Sequence, residues 1–196
     1  MAMHVIRSMM SVPGIRDKFI DKARDIPADI LNFDLEDSVA WNDKPAARDK
    51  LAELLPNFPA KGRMIFVRIN GYDTGLTELE LDAVVGPWLT GINISKVNDA
   101  DDMHRIDHYL TFLEKTRGIP DGEIKLIPWI ENATAVVNAY EICTASSRTI
   151  GAAVGGEDYA VSIGTRRTPE GSELLQARSV TVNACHAAGI VPIDTP

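Results

Sequence analysis

Short apolar runs alternate with longer amphipathic stretches along this chain. Strand-like runs fall at Val5–Val12, Asp29–Glu36, Arg63–Asn70, Gly91–Val97, Ile124–Glu131, Ile150–Glu157 and Gly189–Ile193. Apolar positions at helical spacing lie between them, near Arg16–Arg24, Pro45–Leu55, Glu78–Leu89, Ala100–Arg117, Ala133–Ala145 and Ser172–Ala188. Asn42 or Asp43 can cap the second helix, with Lys44-Pro45 in its first turn, and Gly118 follows a basic helix end as a stop signal. Tyr159–Gly171, which carries Arg166 and Arg167, reads as a long loop.

Strands alternating with helices predict a parallel α/β fold. Strands apolar on both parities fit a sheet covered by helices. The expected class is a TIM-type (β/α)8 barrel. Such a barrel usually takes about 250 residues, whereas this chain has 196 and reaches Pro196 just after a seventh strand. The expectation is one barrel domain over residues 1–196, shortened at its C-terminal end.

Period two gives each strand an inner and an outer face. Asn32, Asp34 and Glu36 share one parity, with Asp37 next at the turn into the loop. Arg68 falls on the polar parity of the third strand, so it is expected inward beside Glu36. The fifth and sixth apolar runs each stop on a carboxylate, at Glu131 and at Glu157-Asp158. Oxygen ligands on neighbouring strand ends, with room for water and substrate, are what a Mg²⁺ ion needs. The expected rim thus holds Glu36, Asp37, Arg68, Glu131 and Asp158, where four crowded carboxylates call for a cation.

Composition narrows the classes. Hydrophobic residues are 45% and charged residues 24%, ordinary for a globular protein. The net charge is −8 and the sequence pI about 5.0. No basic stretch offers a footprint for nucleic acid, and no apolar run approaches the ~18 residues of a membrane span. The N-terminus lacks a signal-peptide apolar region, and Cys143 and Cys185, far apart in sequence, form no disulfide or zinc pattern. A cytoplasmic protein is expected.

Five motifs occur in order: Arg7-Ser8-x-x-x-Val12-Pro13-Gly14, Asp34-Leu35-Glu36-Asp37-Ser38-Val39, Val67-Arg68-Ile69-Asn70-Gly71, Leu126-Ile127-Pro128-x-Ile130-Glu131 and Gly155-Gly156-Glu157-Asp158-Tyr159. Together they resemble the citrate lyase β-subunit family, within the HpcH/HpaI aldolases, over essentially the whole chain. The resemblance implies a carbon–carbon lyase on 3-hydroxyacyl thioesters of coenzyme A or an acyl-carrier protein, with citryl, malyl and citramalyl substrates. It implies Mg²⁺ on the residues matching Glu131 and Asp158. Arg68 matches the arginine that binds the 2-oxo acid carboxylate, and Glu36 and Asp37 match an acidic pair near the metal. Arg7 and Arg16 match a segment near the coenzyme A side. A homo-oligomer, with a trimer favoured, is also implied. A thioesterase, a 2-oxo-acid aldolase and a non-catalytic metal-binding relative use the same residues and are the alternatives.

Two departures stand out. The fourth strand has Ser95 where many relatives have Pro before the lysine, here Lys96; after Glu131 the chain reads Asn132-Ala-Thr, where Thr-Ala-Arg-Gly is frequent. Many family members also use an acidic residue from a C-terminal lid, and the chain is expected to lack that lid with the last βα units. Other residues read as structural. His104 and His108 sit on an exposed helix face, His186 and Cys185 point apart, His4 is at the wrong strand end for a barrel site, and Trp41, Trp88 and Trp129 pack, with lining of the pocket as the alternative for Trp129, which shares the face of Glu131.

Overall fold

Each of the seven apolar runs becomes a strand in the computed structural model, which describes residues 5–195. Strand order follows the chain, β1 to β7, and the paired strands are parallel. This is the plan of a (β/α) barrel, in which each strand returns beside its predecessor through a helix. The chain packs as two compact units: one runs to Asn93 and includes Leu110–Lys125, and the other comprises Ile94–Tyr109 and the chain from Leu126 onward.

The first unit contains β1 (Met9–Pro13), α1 (Asp17–Ala23), β2 (Ile30–Asp34), α2 (Lys44–Leu54), β3 (Met64–Ile69), α3 (Thr77–Val84) and most of β4 (Gly91–Ile94). All five residues of β2 are buried, as a central strand covered on both faces requires. Phe33 meets the edge of Phe58 at 5.0 Å between centroids, and Leu31, Leu51 and Leu55 are buried in the same unit. On the other parity, Asn93 Nδ2 donates to Asn32 Oδ1 at 2.7 Å, and Asn32 Nδ2 donates to Ser11 Oγ at 3.3 Å. Side chains of β2 and β4 reach each other past β3, the layering of alternate strands inside a barrel. The parity of Asn32, Asp34 and Glu36 is therefore the inward one.

The second unit contains α5 (Ala133–Val137), α6 (Ala139–Thr144), β6 (Gly151–Val154), α7 (Gly156–Ser162), α8 (Leu175–Ala188) and β7 (Val191–Ile193); α4 (Ala100–Arg117) and β5 (Lys125–Ile130) are shared by both. Gly151 permits β6 to approach β7: a Cβ there would lie 2.8 Å from the Val191 carbonyl oxygen.

Several elements differ from their sequence patterns. The first strand starts at Met9, not Val5. The helix expected over Ala133–Ala145 breaks at Asn138, whose side chain donates to the Asn98 carbonyl at 3.0 Å. β6 stops at Val154, and the expected loop from Tyr159 begins inside α7, which buries Tyr159 and Ala160. Gly155-Gly156 ends the strand, and Glu157 and Asp158 enter a first helical turn, where acidic residues are favoured. Trp41 is 61% exposed because it leads a 3-10 turn rather than packing. His104, His108 and His186 are exposed, and His4 lies outside the described residues. Among the described residues no helix is long and apolar enough to cross a membrane.

The Asn32–Asn93 contact gives a stability prediction. Asn93→Ala strands the buried Asn32 carbonyl and is expected to cost about 2 kcal/mol in chemical denaturation. An unchanged midpoint would show that the polar layer contributes nothing to the fold.

Candidate active site

The carboxyl ends of β2 and β3 carry a buried charge cluster built by their register, which pairs Asp34 with Arg68. Arg68 Nε and Nη2 each reach an Asp34 oxygen at 2.7 Å, a bidentate ion pair with both side chains buried. Arg68 Nη1 lies 3.2 Å from Glu36 Oε2 and 3.2 Å from Asp37 Oδ2. Burial alone would lower the Arg68 pKa, but Asp34, Glu36 and Asp37 raise it above its ordinary value. Burial pushes the Asp34 carboxyl up; the Arg68 hydrogen bonds and charge, aided by Ser38 and the Glu36 amide, hold it below the usual range. Asp34 was legible as an inward polar residue, but its hold on Arg68 follows only from the register. Arg68 was expected to present its fork to a substrate carboxylate; its Nε–Nη2 edge is instead taken by Asp34.

Beneath this cluster, backbone carbonyls are fastened by side chains. Lys44 Nζ donates to the Leu35 and Glu36 carbonyls, both at 2.9 Å, and Asn70 Nδ2 donates to Leu35 at 3.0 Å. Asn70 is in turn held by Glu80, which accepts from its amide at 2.8 Å and from Nδ2 at 2.6 Å. Burial raises the Glu80 carboxyl to about 7 despite these hydrogen bonds. Nothing in the local sequence pattern singles out Lys44 or Glu80.

In the second unit, Glu131 follows β5 and is 2% exposed. Its Oε1 accepts the Lys96 amide at 2.6 Å. Gly155 lies against its other oxygen, where a Cβ would overlap Oε2. Asp158 stands three residues beyond Gly155, half-buried, and its carboxylate has no side-chain hydrogen bond or ion pair among the described residues. Asn132 is committed to structure: it caps α5 by accepting from the Ala135 amide at 2.8 Å and donates to the Val97 carbonyl at 3.3 Å. Among the described residues no three His, Cys, Asp or Glu side chains converge as a metal cage. Two carboxylates suit Mg²⁺, which keeps waters and takes substrate oxygens for its remaining positions.

The remaining site residues separate. Arg16 is exposed just past the carboxyl end of β1. Arg7 sits at the opposite, amino end, where its amide, Nε and Nη2 all bind the Asp29 carboxylate at 2.7–3.0 Å; the structure does not bring it to Arg68. Arg167 bridges Glu157 and Glu173. Cys143 and Cys185, distant in sequence, come together as free buried thiols. Their mutual hydrogen bond raises the Cys143 pKa and lowers that of Cys185.

Residues 7–195 match the model of the HpcH/HpaI aldolase/citrate lyase family. The chain belongs to this family. It is 40% identical over 189 residues to the citrate lyase subunit beta of Leuconostoc mesenteroides subsp. cremoris, covering 96% of this chain and 63% of that protein. It is 32% identical over 212 residues to the L-malyl-CoA/beta-methylmalyl-CoA lyase of Rhodobacter capsulatus, covering 97% and 66%. The citrate lyase beta subunit from M. tuberculosis, solved with oxaloacetate and magnesium, superposes with a TM-score of 0.74 at 26% identity, covering 99% of this chain and 80% of that one. The chain thus spans less than two thirds of the length of these curated relatives. This HpcH/HpaI family member carries the TIM-barrel-type fold that its strand pattern predicted.

Two predictions follow from the charge cluster. Asp34→Asn leaves the Arg68 charge buried without its main partner and is expected to cost about 3–5 kcal/mol in denaturant unfolding; a loss below 1 kcal/mol, on the scale of an exposed pair, would contradict the cluster's burial. Glu80 is neutral in the fold but ionised in the unfolded chain between its usual 4.5 and about 7. Unfolding then releases a proton, so its contribution falls as pH rises through that window. Glu80→Gln should therefore gain on wild type between pH 5 and 8 by on the order of 2–3 kcal/mol, read from paired denaturant titrations. A pH-independent difference would contradict the assignment.

Proposed function

We propose that this chain is a Mg²⁺-dependent carbon–carbon lyase. Its substrate class is a 3-hydroxyacyl thioester of coenzyme A or a carrier protein, of the citryl, malyl or citramalyl type. The products are a 2-oxo acid and acetyl thioester. The observation that carries this reading is the state of Glu131 and Asp158. One is a buried carboxylate that accepts a peptide N–H and lies against a glycine, and the other has no side-chain hydrogen bond or ion pair among the described residues. Both fall at the positions where the family resemblance implies metal ligands.

Glu131 and Asp158 would hold the ion, which when bound supplies Lewis-acid polarisation of the substrate's carbonyl oxygen. Arg68 keeps its charge because three carboxylates surround it, and it binds the carboxylate of the 2-oxo acid portion. Asp34 fixes the guanidinium's orientation, so substrate is met by the Nη end. Glu36 is buried and stays with Arg68, whereas the Asp37 side chain is 54% exposed and can reach a hydroxyl or water proton at Oδ2. Arg16, exposed at the same end of the strands, suits the phosphates of a coenzyme A or carrier-protein arm. Arg7 has no part in this arrangement. Net negative charge elsewhere makes these placed arginines necessary for an anionic substrate. The same reading makes the protein cytoplasmic and homo-oligomeric, as a trimer.

Incubation with citryl-, malyl- and citramalyl-CoA, with Mg²⁺ or with chelator, tests the proposal by product analysis. Acetyl-CoA and a 2-oxo acid should appear in equal amounts only with Mg²⁺. Arg68→Ala and Glu131→Gln should each lower kcat/KM by at least about 100-fold. Release of free coenzyme A without acetyl-CoA would identify a thioesterase, and turnover indifferent to chelator would remove the metal from the account.

A further inference from the structure

One peptide unit, Leu35–Glu36, joins the Arg68 cluster to the buried carboxylate of Glu80. On its amide side, the Glu36 N–H donates to Asp34 Oδ1 at 2.9 Å, and that oxygen also accepts Arg68 Nε at 2.7 Å. On its carbonyl side, the Leu35 oxygen accepts from Lys44 Nζ at 2.9 Å and from Asn70 Nδ2 at 3.0 Å. Asn70 Nδ2 also donates to Glu80 Oε1 at 2.6 Å, which uses both of its hydrogens. The backbone of Asn70 is held as well: its amide donates to Glu80 Oε2 at 2.8 Å, and its carbonyl accepts from Thr77 Oγ1 at 3.0 Å. Hydrogen bonds therefore run without a break from Glu80 through Asn70, the peptide and Asp34 to Arg68. A carbonyl that accepts two donors, one of them an ammonium, strengthens the N–H of its own peptide as a donor.

The far end of this relay is a group that can change its charge. Glu80 is 1% exposed, and both of its oxygens accept from Asn70. Two donors aimed at two oxygens suit a carboxylate, which only accepts. Protonation turns one oxygen into a hydroxyl, a poorer acceptor, and weakens the hold on Asn70. The elements packed on α3 are α2, which faces Glu80 with Lys44 and Arg48, and β3, which ends beside the neutral Asn70. Burial raises the Glu80 carboxyl to about 7, against the Asn70 hydrogen bonds and the charges of Lys44 and Arg48.

We propose that Glu80 is a positioning residue for the anion site: its ionised carboxylate holds Asn70 and, through the Leu35–Glu36 peptide, sets Asp34 against Arg68. This rests on the reading of Arg68 as the residue that binds the 2-oxo acid carboxylate. Loss of the charge on Glu80 loosens the peptide and leaves the guanidinium less well aimed. Proton binding at Glu80 and anion binding at Arg68 are then linked, and each weakens the other by the same factor.

Oxaloacetate binding in the presence of Mg²⁺, measured by calorimetry on wild type and Glu80→Gln, tests the linkage. Glutamine has one acceptor oxygen and no charge, so it stands in for neutral Glu80. The comparison is made at roughly pH 5.5 and roughly pH 8.5, on either side of the Glu80 transition. Wild type should bind about fivefold or more tightly than Glu80→Gln at the higher pH, and equally at the lower. A ratio that does not change with pH, as a purely structural role would give, overturns the proposal. A second readout needs no ligand. In metal-free protein the Arg68 Nε–H resonance should shift with a midpoint near 7, and that transition should be missing from Glu80→Gln, which keeps every carboxylate around Arg68. The same titration in both proteins would overturn the relay. Asn70→Ser removes Nδ2 and leaves Glu80 in place; it should silence the same transition, and it takes over if Glu80→Gln does not fold. If folded wild type binds no oxaloacetate while the resonance still follows Glu80, the reading of Arg68 fails and the proposal falls with it. That outcome is distinct from failure of the relay alone, in which oxaloacetate binds but neither readout depends on Glu80.

Discussion

The buried ion pair between Arg68 and Asp34 fixes the chemistry of the β2 and β3 strand ends. A guanidinium taken out of water requires a partner with matched geometry. Asp34 supplies both oxygens at 2.7 Å. With that edge committed, Arg68 cannot rotate, and Glu36 and Asp37 are set against Nη1 at a fixed distance. Lys44, Asn70 and Glu80 hold the peptides beneath, so the charged side chains stand on a backbone that is itself fastened. In this cluster the Arg68 guanidinium is held in place by buried partners.

The Glu131 side of the chain is organised by different means. Here backbone does what side chains do around Arg68: a peptide N–H in an unfavourable conformation and a glycine without a Cβ grip one carboxylate. Asp158, placed by the first turn of α7, has no side-chain hydrogen bond or ion pair among the described residues. Membership of the HpcH/HpaI aldolase/citrate lyase family gives these two arrangements a common purpose under the proposed reaction. The expected chemistry asks for a fixed positive charge for a carboxylate and a metal pair for a carbonyl oxygen.

Period two was enough to read the inward face of β2 and β3, because a side chain's face depends only on parity. Asn32 and Asn93 meeting past β3 bears that reading out. The span of α4, Ala100–Arg117, was legible to the residue because acidic residues open it and Gly118 closes it. Other features depend on partners distant in sequence. The locking of Arg68 by Asp34 needs the strand register, and the role of Glu80 needs the helix α3 to be brought under Asn70. Asp158 was read as a strand end because Gly155-Gly156 carries no hydrophobic signal in either direction; only the fold shows that the chain has already turned into a helix. Arg7 matched a motif but is drawn to Asp29 at the amino ends of the strands, a contact that no local pattern announces. The hydrogen bond from the Lys96 amide to Glu131 was hidden for the same reason, since it joins residues distant in sequence.

The measurement that bears most directly on the account is a calorimetric titration of oxaloacetate, with and without Mg²⁺, into wild type and Asp158→Ala. Binding that requires Mg²⁺ and disappears in the folded Asp158→Ala protein is the predicted result. Binding of equal strength without the metal or without Asp158, or no binding by the folded wild type under either condition, would contradict the assignment of Glu131 and Asp158 as the metal pair of a 2-oxo acid site.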